Sequence, residues 1–358
     1  MRSILNKILS IYFKILNKID HAIFLPFAAS SKFTSSIYLF FNRSFRREHY
    51  SVVKGKWAHL KTIKQDKANE YLLTRNIHRL EKGLIMKPRK PVFAKKYIFE
   101  TVSAFEKFVK SKSIISSNKN LIIWADNVLN EYFKVVNTDS EINKLKDVFL
   151  DLQKNVIHFT ENQENIPYER TILKPEDLIS YDQFMRLSLQ RRSVRWFLDK
   201  KVPRSLVDKA IEASAMSPSA CNRQPFEFRV FDEPELVQKI GNFPMGTTGF
   251  SDNFQTLIVV VGKLEAYFSE RDRHLIYIDG SLASMTLMLA LETLGLSSCP
   301  INWPDIESRE KMMQKELKLS SYERPIMLIA VGYPDPKGKV PFSAKKNLDK
   351  IRKYNYEH

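Results

Sequence analysis

Residues 279–294 run for sixteen positions with only Asp279 and Glu292 charged, and Gly295 closes the run. A helix that is apolar on every side cannot lie on a solvated surface, so this stretch demands a body of protein around it. Residues 257–261 are a β-branched run of the kind found in buried strands. Residues 326–331 are a second such run, ended by Gly332 and Pro334. Residues 226–231 alternate at period two, as a half-buried strand does. Residues 203–216 read as a helix with Pro203 in its first turn. Strands and helices mixed at irregular spacing predict an α+β domain over residues 181–358 rather than a doubly wound sheet.

The preceding half has a different character. The whole chain carries 57 Lys+Arg against 40 Asp+Glu, a net charge of +17. Residues 181–358 hold +4 of this and residues 1–180 hold +13. The first 60 residues contain ten Lys and Arg, opposed only by Asp20 and Glu48. Such a basic half attracts polyanions or an anionic membrane surface. Ile4, Leu5, Ile8, Leu9, Tyr12, Phe13, Leu16 and Ile19 recur at helical spacing, with Lys7, Lys14 and Lys18 largely off the stripe. Residues 1–20 therefore read as an amphipathic helix that either lies in a membrane interface or packs on protein. No uncharged apolar run reaches the ~18 residues of a span, and Lys32 with its Ser and Thr neighbours breaks residues 22–42. Lysines interrupt any signal-peptide core. Residues 94–112, 120–137 and 140–160 read as amphipathic helices, with a turn at 116–120. Residues 161–180, with Pro167 and Pro175, read as a linker. The expected organisation is a basic amphipathic segment at 1–60, a helical accessory region at 61–180 and an α+β domain at 181–358.

Several chemistries are excluded. Two cysteines, Cys221 and Cys299, cannot build a disulfide scaffold or an all-cysteine zinc site. Both read as small packing residues. The seven histidines are scattered, so no metal is expected. There is no G-x-G-x-x-G, no P-loop, no G-x-S-x-G and no H-E-x-x-H. No helix-turn-helix or RNP pattern accompanies the basic half, so no nucleic-acid partner is expected.

Three separated segments remain. Arg191-Arg192-Ser193-Val194-Arg195 sets three guanidiniums around a hydroxyl, which suits a phosphate and a polar ring edge. In Ser217-Pro218-Ser219-Ala220-Cys221-Asn222-Arg223-Gln224-Pro225, two prolines fix the backbone while Asn222 and Gln224 offer carboxamides. Gly295-Leu296-Ser297-Ser298-Cys299-Pro300-Ile301-Asn302-Trp303 reads as a rigid apolar loop that can pack on an aromatic ligand. In this order and separation the three resemble the nitroreductase-like flavoprotein family, and Val340-Pro341-Phe342-Ser343-Ala344-Lys345-Lys346 resembles its closing phosphate-binding segment. The resemblance covers residues 181–358. Residues 1–180 resemble an extension seen on polysaccharide-locus-associated members, with residues 75–84 as the best marker.

The resemblance implies a central, mostly antiparallel sheet flanked by helices, FMN bound between two subunits of a homodimer, and NAD(P)H as electron donor. It places Arg191 at the FMN phosphate, with Arg192 beside it, and Ser193 on the ribityl or pyrimidine side. It places Arg195 near the flavin N1 and O2, where reduction leaves negative charge. Asn222 would meet the pyrimidine edge with Gln224 in support, and Pro218 and Ser219 would shape the same loop. Pro300 and Ile301 would lie against the ring, with the Asn302 N–H towards N5. Lys345 or Lys346 would complete the phosphate site. The substrate expected is a small, glycan-linked or lipid-linked molecule. The protein is expected in the cytoplasm, touching the inner face of the membrane through residues 1–20. The alternatives are a flavin-dependent dehydrogenase or oxidase that uses no NAD(P)H, and a non-catalytic flavin-binding scaffold at a membrane. Residues 241–251 are a candidate mobile loop, and His274 a candidate substrate contact. Arg75, His78, Arg79 and Lys82 are a candidate anion site on a helix ending at Gly83.

Overall fold

The computed structural model describes residues 11–12, 15–16, 18–137, 140–160 and 164–355. Most of the amphipathic stretch at 1–20 lies outside the described residues. The first half is helical: α1 (Leu25–Ala29), α2 (Lys32–Phe41), α3 (Arg46–Lys64), α4 (Glu70–Leu84), α5 (Ile98–Val109), α6 (Lys112–Ser117), α7 (Lys119–Val135), α8 (Ser140–Gln153) and α9 (Ile157–Thr160). Helices α4, α5, α7 and α8 turn one face inward, and Leu73, Ile77, Phe105, Leu129, Tyr132 and Phe149 form a closed core. The Asn69 side chain starts α4 by accepting from the Leu72 N–H at 3.0 Å, satisfying a donor the helix itself cannot pair.

Three expectations shift here. The helix read at 94–112 begins at Ile98, because Ala94 sits at φ +63° and cannot enter a right-handed turn. The turn read at 116–120 narrows to Asn118 alone, between α6 and α7. Gly83 does not end its helix, which runs on to Leu84. A Cβ at Gly83 would come within 2.4 Å of the Phe93 ring, so this glycine permits close packing.

The second half contains α10 (Tyr181–Gln190), α11 (Arg204–Ser214), β1 (Phe226–Phe231), α12 (Pro234–Gly241), β2 (Thr256–Lys263), α13 (Leu275–Thr293), β3 (Ser297–Asn302), α14 (Glu307–Leu317), β4 (Glu323–Gly332) and α15 (Leu348–Ile351). The sheet order is β1-β2-β4-β3, antiparallel throughout. This is the expected α+β architecture. Alternate residues of β2 enter different cores, as the period of a strand requires. Ile258 and Val260 meet Ile276, Leu287 and Leu291 of α13. Leu257, Val259 and Val261 join Ile240 and Met313 on the other face.

Helix α13 begins at Leu275, four residues before the expected start, and α11 begins at Arg204 with Pro203 as its cap. With its preceding turn, α13 is long and apolar enough to cross a membrane. Here it covers the sheet. The segment 297–302, read as a loop, is instead the edge strand β3, paired with β4 from Ser297↔Gly332 to Asn302↔Met327. Pro300 lacks an N–H and is tolerated because the strand lies at the edge.

Helix α3 crosses the expected boundary at residue 60 and docks on the sheet domain. Its buried His59 faces the Glu265 carbonyl, with Nδ1 at 2.8 Å. Burial pushes the Glu265 carboxyl up to about 7, with Glu323 and Glu70 adding to the shift and Lys263 opposing it. An unfolded chain ionises this group near 4.5, so the folded state loses stability as pH rises from about 4.5 to 7. Glu265→Gln removes that loss. The variant is expected to melt several degrees above the parent at pH 8 and level with it at pH 4.5, as thermal unfolding at the two pH values would show.

Candidate active site

The first basic segment forms a strap across the ends of β3 and β4. Helix α10 is capped by Ser180, whose side chain accepts from the Gln183 N–H at 3.2 Å. It ends at Arg191. Ser193 then bridges Ser298 in parallel, and the Val194 N–H donates to the Ser298 carbonyl at 3.0 Å. The Phe197 N–H donates to Asn253 Oδ1 at 2.6 Å, and Asn253 Nδ2 donates back to the Phe197 carbonyl at 3.0 Å. Gly332 lies beneath, where a Cβ would come within 2.7 Å of the Phe197 ring. The strap therefore rests on bare backbone.

This geometry joins the first and third motifs. It also brings in the closing basic segment, because the Arg192 guanidinium donates to the carbonyls of Pro341 and Phe342. Arg192 is thus committed to holding that segment. Lys345 and Lys346 follow on an exposed, irregular stretch. Among the described residues, Arg191 Nε and Ser298 Oγ of this wall are buried without a partner, as is Oε1 of Glu292 behind them. An unpartnered buried donor costs about 1–3 kcal/mol, so Arg191 Nε and Ser298 Oγ are suited to an incoming anion or polar group. Behind them lies buried Glu292, which accepts from Gln190 Nε2 at 3.3 Å. Burial raises its pKa, while Ser297, Gln190 and Arg191 oppose the shift. Arg195 reaches over the Phe250 ring at 5.6 Å. Phe250 belongs to the segment read as a mobile loop. That segment is tied to α12 by Ser251 Oγ donating to Asn242 Oδ1 at 2.8 Å. Burial pushes the Cys299 thiol up, with Arg195 opposing, which fits a packing cysteine.

The second motif lies elsewhere. Its loop is fixed by Asp279, which accepts from the Ala220 N–H at 2.9 Å, and by Ser217 and Thr286, whose hydroxyls are 2.7 Å apart. Cys221, Asn222 and Gln224 all take positive φ, between +45° and +56°. That strain is held by Arg223, which donates to the carbonyls of Ala220 at 3.0 Å and Ala266 at 3.2 Å and stacks on Tyr267. Gln224 Nε2 donates to the Ala215 carbonyl at 3.0 Å, and the Ser219 hydroxyl accepts from the Gln224 N–H at 3.1 Å. Asn222 and Gln224 face a cleft of about 620 Å³ whose opposite wall is Thr74, Ser116, Ser117 and Trp124 of the helical region.

Within one chain the two walls do not converge. The first is tied to α13 near Glu292 and the second near Asp279, thirteen residues apart, or about 20 Å along a helix. Between them Ile278, Leu282 and Met285 form an exposed apolar stripe.

The candidate anion site is dispersed. Arg75 stacks on Phe268 and Arg79 on Tyr97. Burial lowers the Arg75 pKa first, with the charges of Arg79 and Arg223 adding to the shift. His78 instead pairs with Glu81 at 3.4 Å, and Lys82 is exposed. His274 is exposed ahead of α13. Among the described residues no cluster could hold a metal ion. Asp279, Arg223, Asn253 and Glu292 escaped the sequence reading. A lone carboxylate in an apolar helix, as at Asp279 or Glu292, is the one signal that could have marked any of them.

Residues 189–248 and 245–333 match the nitroreductase family. Iodotyrosine deiodinase 1 of Pongo abelii is 24% identical over 220 residues, covering 53% of this chain and 75% of that protein. Iodotyrosine deiodinase of Haliscomenobacter hydrossis is 26% identical over 214 residues, 51% of this chain and 93% of that protein. Among solved structures, an FMN-dependent nitroreductase from Clostridium difficile R20291 is 25% identical, covers 48% of this chain and 99% of its own, and superposes with a TM-score of 0.42.

Proposed function

We propose that the protein, whose residues 189–248 and 245–333 match the nitroreductase family, is an FMN-dependent reductase that takes electrons from NAD(P)H. The observation that carries this reading is the pair of unpartnered buried polar atoms, Arg191 Nε and Ser298 Oγ, in the wall built from the first and third motifs. FMN held there supplies the two-electron carrier between donor and substrate. Arg191 neutralises the phosphate, with Lys345 or Lys346 as the second cation. Arg192 positions the closing segment instead of binding. Ser193 and the Ser298 hydroxyl serve the polar side chain of the cofactor. Arg195 sits at the edge of the ring that gains negative charge on reduction, which favours the reduced state. Pro300 offers an apolar surface that excludes water, while Ile301 is buried in the core behind it, and the Asn302 N–H would be the donor near N5. Asn222, supported by Gln224, with Pro218 and Ser219, forms the second wall.

Because the walls lie about 20 Å apart along α13, one site needs two copies of the chain. Packing two copies through Ile278, Leu282 and Met285 covers the apolar stripe and sets the loop of one against the strap of the other. The substrate is a small organic molecule reduced at this shared site. The deiodinase relatives favour testing an iodinated tyrosine beside nitroaromatics. A glycan-linked substrate has the polar cleft at Asn222 and Trp124 in its favour.

The deciding experiment is an anaerobic absorbance spectrum of purified protein reconstituted with FMN, followed on adding NADH and then NADPH. The flavin band should bleach, and an iodinated tyrosine or nitroaromatic should restore it. A band that forms but never bleaches points to a dehydrogenase or a scaffold. Failure to form any flavin band defeats the reading.

A further inference from the structure

The hairpin ahead of α3 has the construction of a membrane insert. A π-helical turn, Asp20–Phe24, leads into α1, and α2 returns antiparallel beside it. The Tyr38 hydroxyl donates to Asp20 Oδ2 across the pair at 3.1 Å. The tip is closed by a capping box, Ser31 Oγ accepting from the Thr34 N–H and Thr34 Oγ1 from the Ser31 N–H, both at 3.1 Å. At the base, Arg46 Nη2 donates to the Phe40 carbonyl at 3.2 Å and so closes the end of α2. These backbone, hydroxyl and carboxylate groups are thereby satisfied internally.

Its side chains reverse the usual pattern. Of residues 20–41 only Ala28 is buried. Ile23, Phe24 and Leu25 are all exposed, and so are Leu39, Phe40 and Phe41, the last two at 81% and 78%. Consecutive helical residues point about 100° apart, so three in a row clothe the whole circumference. A protein partner covers one face of a helix, whereas lipid covers all of them. Residues 22–41 contain one charged side chain, Lys32 at the tip. Just beyond the base lies exposed Arg46, at the level where anionic headgroups would meet it, while Arg47 and Lys56 are paired with Glu307 and Glu270. Helix α2 is ten residues long, or about 15 Å, half the hydrocarbon thickness.

The geometry points to residues 20–41 as an anchor that lies in the headgroup–acyl boundary of one leaflet of an anionic bilayer, with Lys32 and the base of α3 both at the headgroups. This is independent of the flavin chemistry.

The test is flotation of full-length protein with vesicles of phosphatidylcholine containing about one third phosphatidylglycerol. Wild-type protein should float and stay bound in about 1 M salt, where screening removes purely electrostatic adsorption. Phe40→Asp with Phe41→Asp should cut the floated fraction at least tenfold. Because both rings are exposed, the thermal transition should not move. Phe40→Leu with Phe41→Leu should restore flotation. The proposal is overturned if the aspartate pair floats like wild type or if high salt releases the wild type. It is equally overturned if the protein ignores vesicles, whether or not the aspartate pair disperses a self-assembled form, since a second copy would then be the occupant.

Discussion

Arg191→Ala should weaken FMN binding roughly thirtyfold, the equivalent of one charge-assisted hydrogen bond worth about 2 kcal/mol. The same substitution should leave the cofactor-free protein as stable as before, or slightly more stable. The second expectation follows from the first wall as it stands: Arg191 Nε is buried without a partner, so its removal relieves an unpaid desolvation cost. Glu292 loses a favourable neighbour, but burial already moves it towards its neutral form. A purely structural arginine would behave the other way, and its loss would lower the melting temperature of the apoprotein. Flavin fluorescence titration and thermal unfolding without flavin separate the two. An unchanged FMN affinity together with a destabilised apoprotein would remove Arg191 from the site.

What the sequence disclosed of this wall, and what it withheld, follows from the range of the forces involved. Strands β1, β2 and β4 were legible because β-branched and alternating residues carry their own preference for a pleated, buried surface. Strand β3 was not. Ser297, Ser298, Pro300 and Asn302 have little strand propensity, and the segment is extended only because β4 offers it an edge. The basic clusters at 191–195 and 340–346 were legible as charge. That Arg192 is spent on the Pro341 and Phe342 carbonyls, some 150 residues away, depends on where the chain returns after β4. Asn222 and Gln224 were legible as a motif, but the left-handed backbone that presents them is enforced by Arg223, whose role inside that motif was not legible, and by Asp279, marked only as a lone carboxylate in an apolar helix.

Gly55→Leu should loosen the helical half from the sheet domain. A Cβ at Gly55 would lie 2.6 Å from Leu264 Cβ, 2.7 Å from its carbonyl carbon and 2.8 Å from its oxygen. Two of those three atoms are backbone and cannot rotate away, so α3 itself must shift. Three contacts move with it. Arg47 holds Glu307 through two hydrogen bonds, Nε at 2.6 Å and Nη2 at 2.9 Å. That pairing keeps the Glu307 carboxyl down at about 2. Lys56 pairs with Glu270 at 2.6 Å, and His59 meets the Glu265 carbonyl. The two ion pairs have exposed carboxylates and add little by themselves; the closeness permitted by the missing Cβ does more. Glycine inside a helix costs about 1 kcal/mol against alanine, so a larger residue here would stabilise α3 in isolation. The clash is expected to reverse that sign, with a net loss of about 3 kcal/mol as the helix is forced off Leu264. The expected signature is a single thermal transition splitting into two, with faster proteolysis between the halves. Gly246→Ala is the matched control, because a Cβ there meets nothing within 4 Å. A Gly55→Leu protein that melts once, at the wild-type temperature, would show that α3 is free to move on the sheet domain and that the two halves are coupled by something other than this contact.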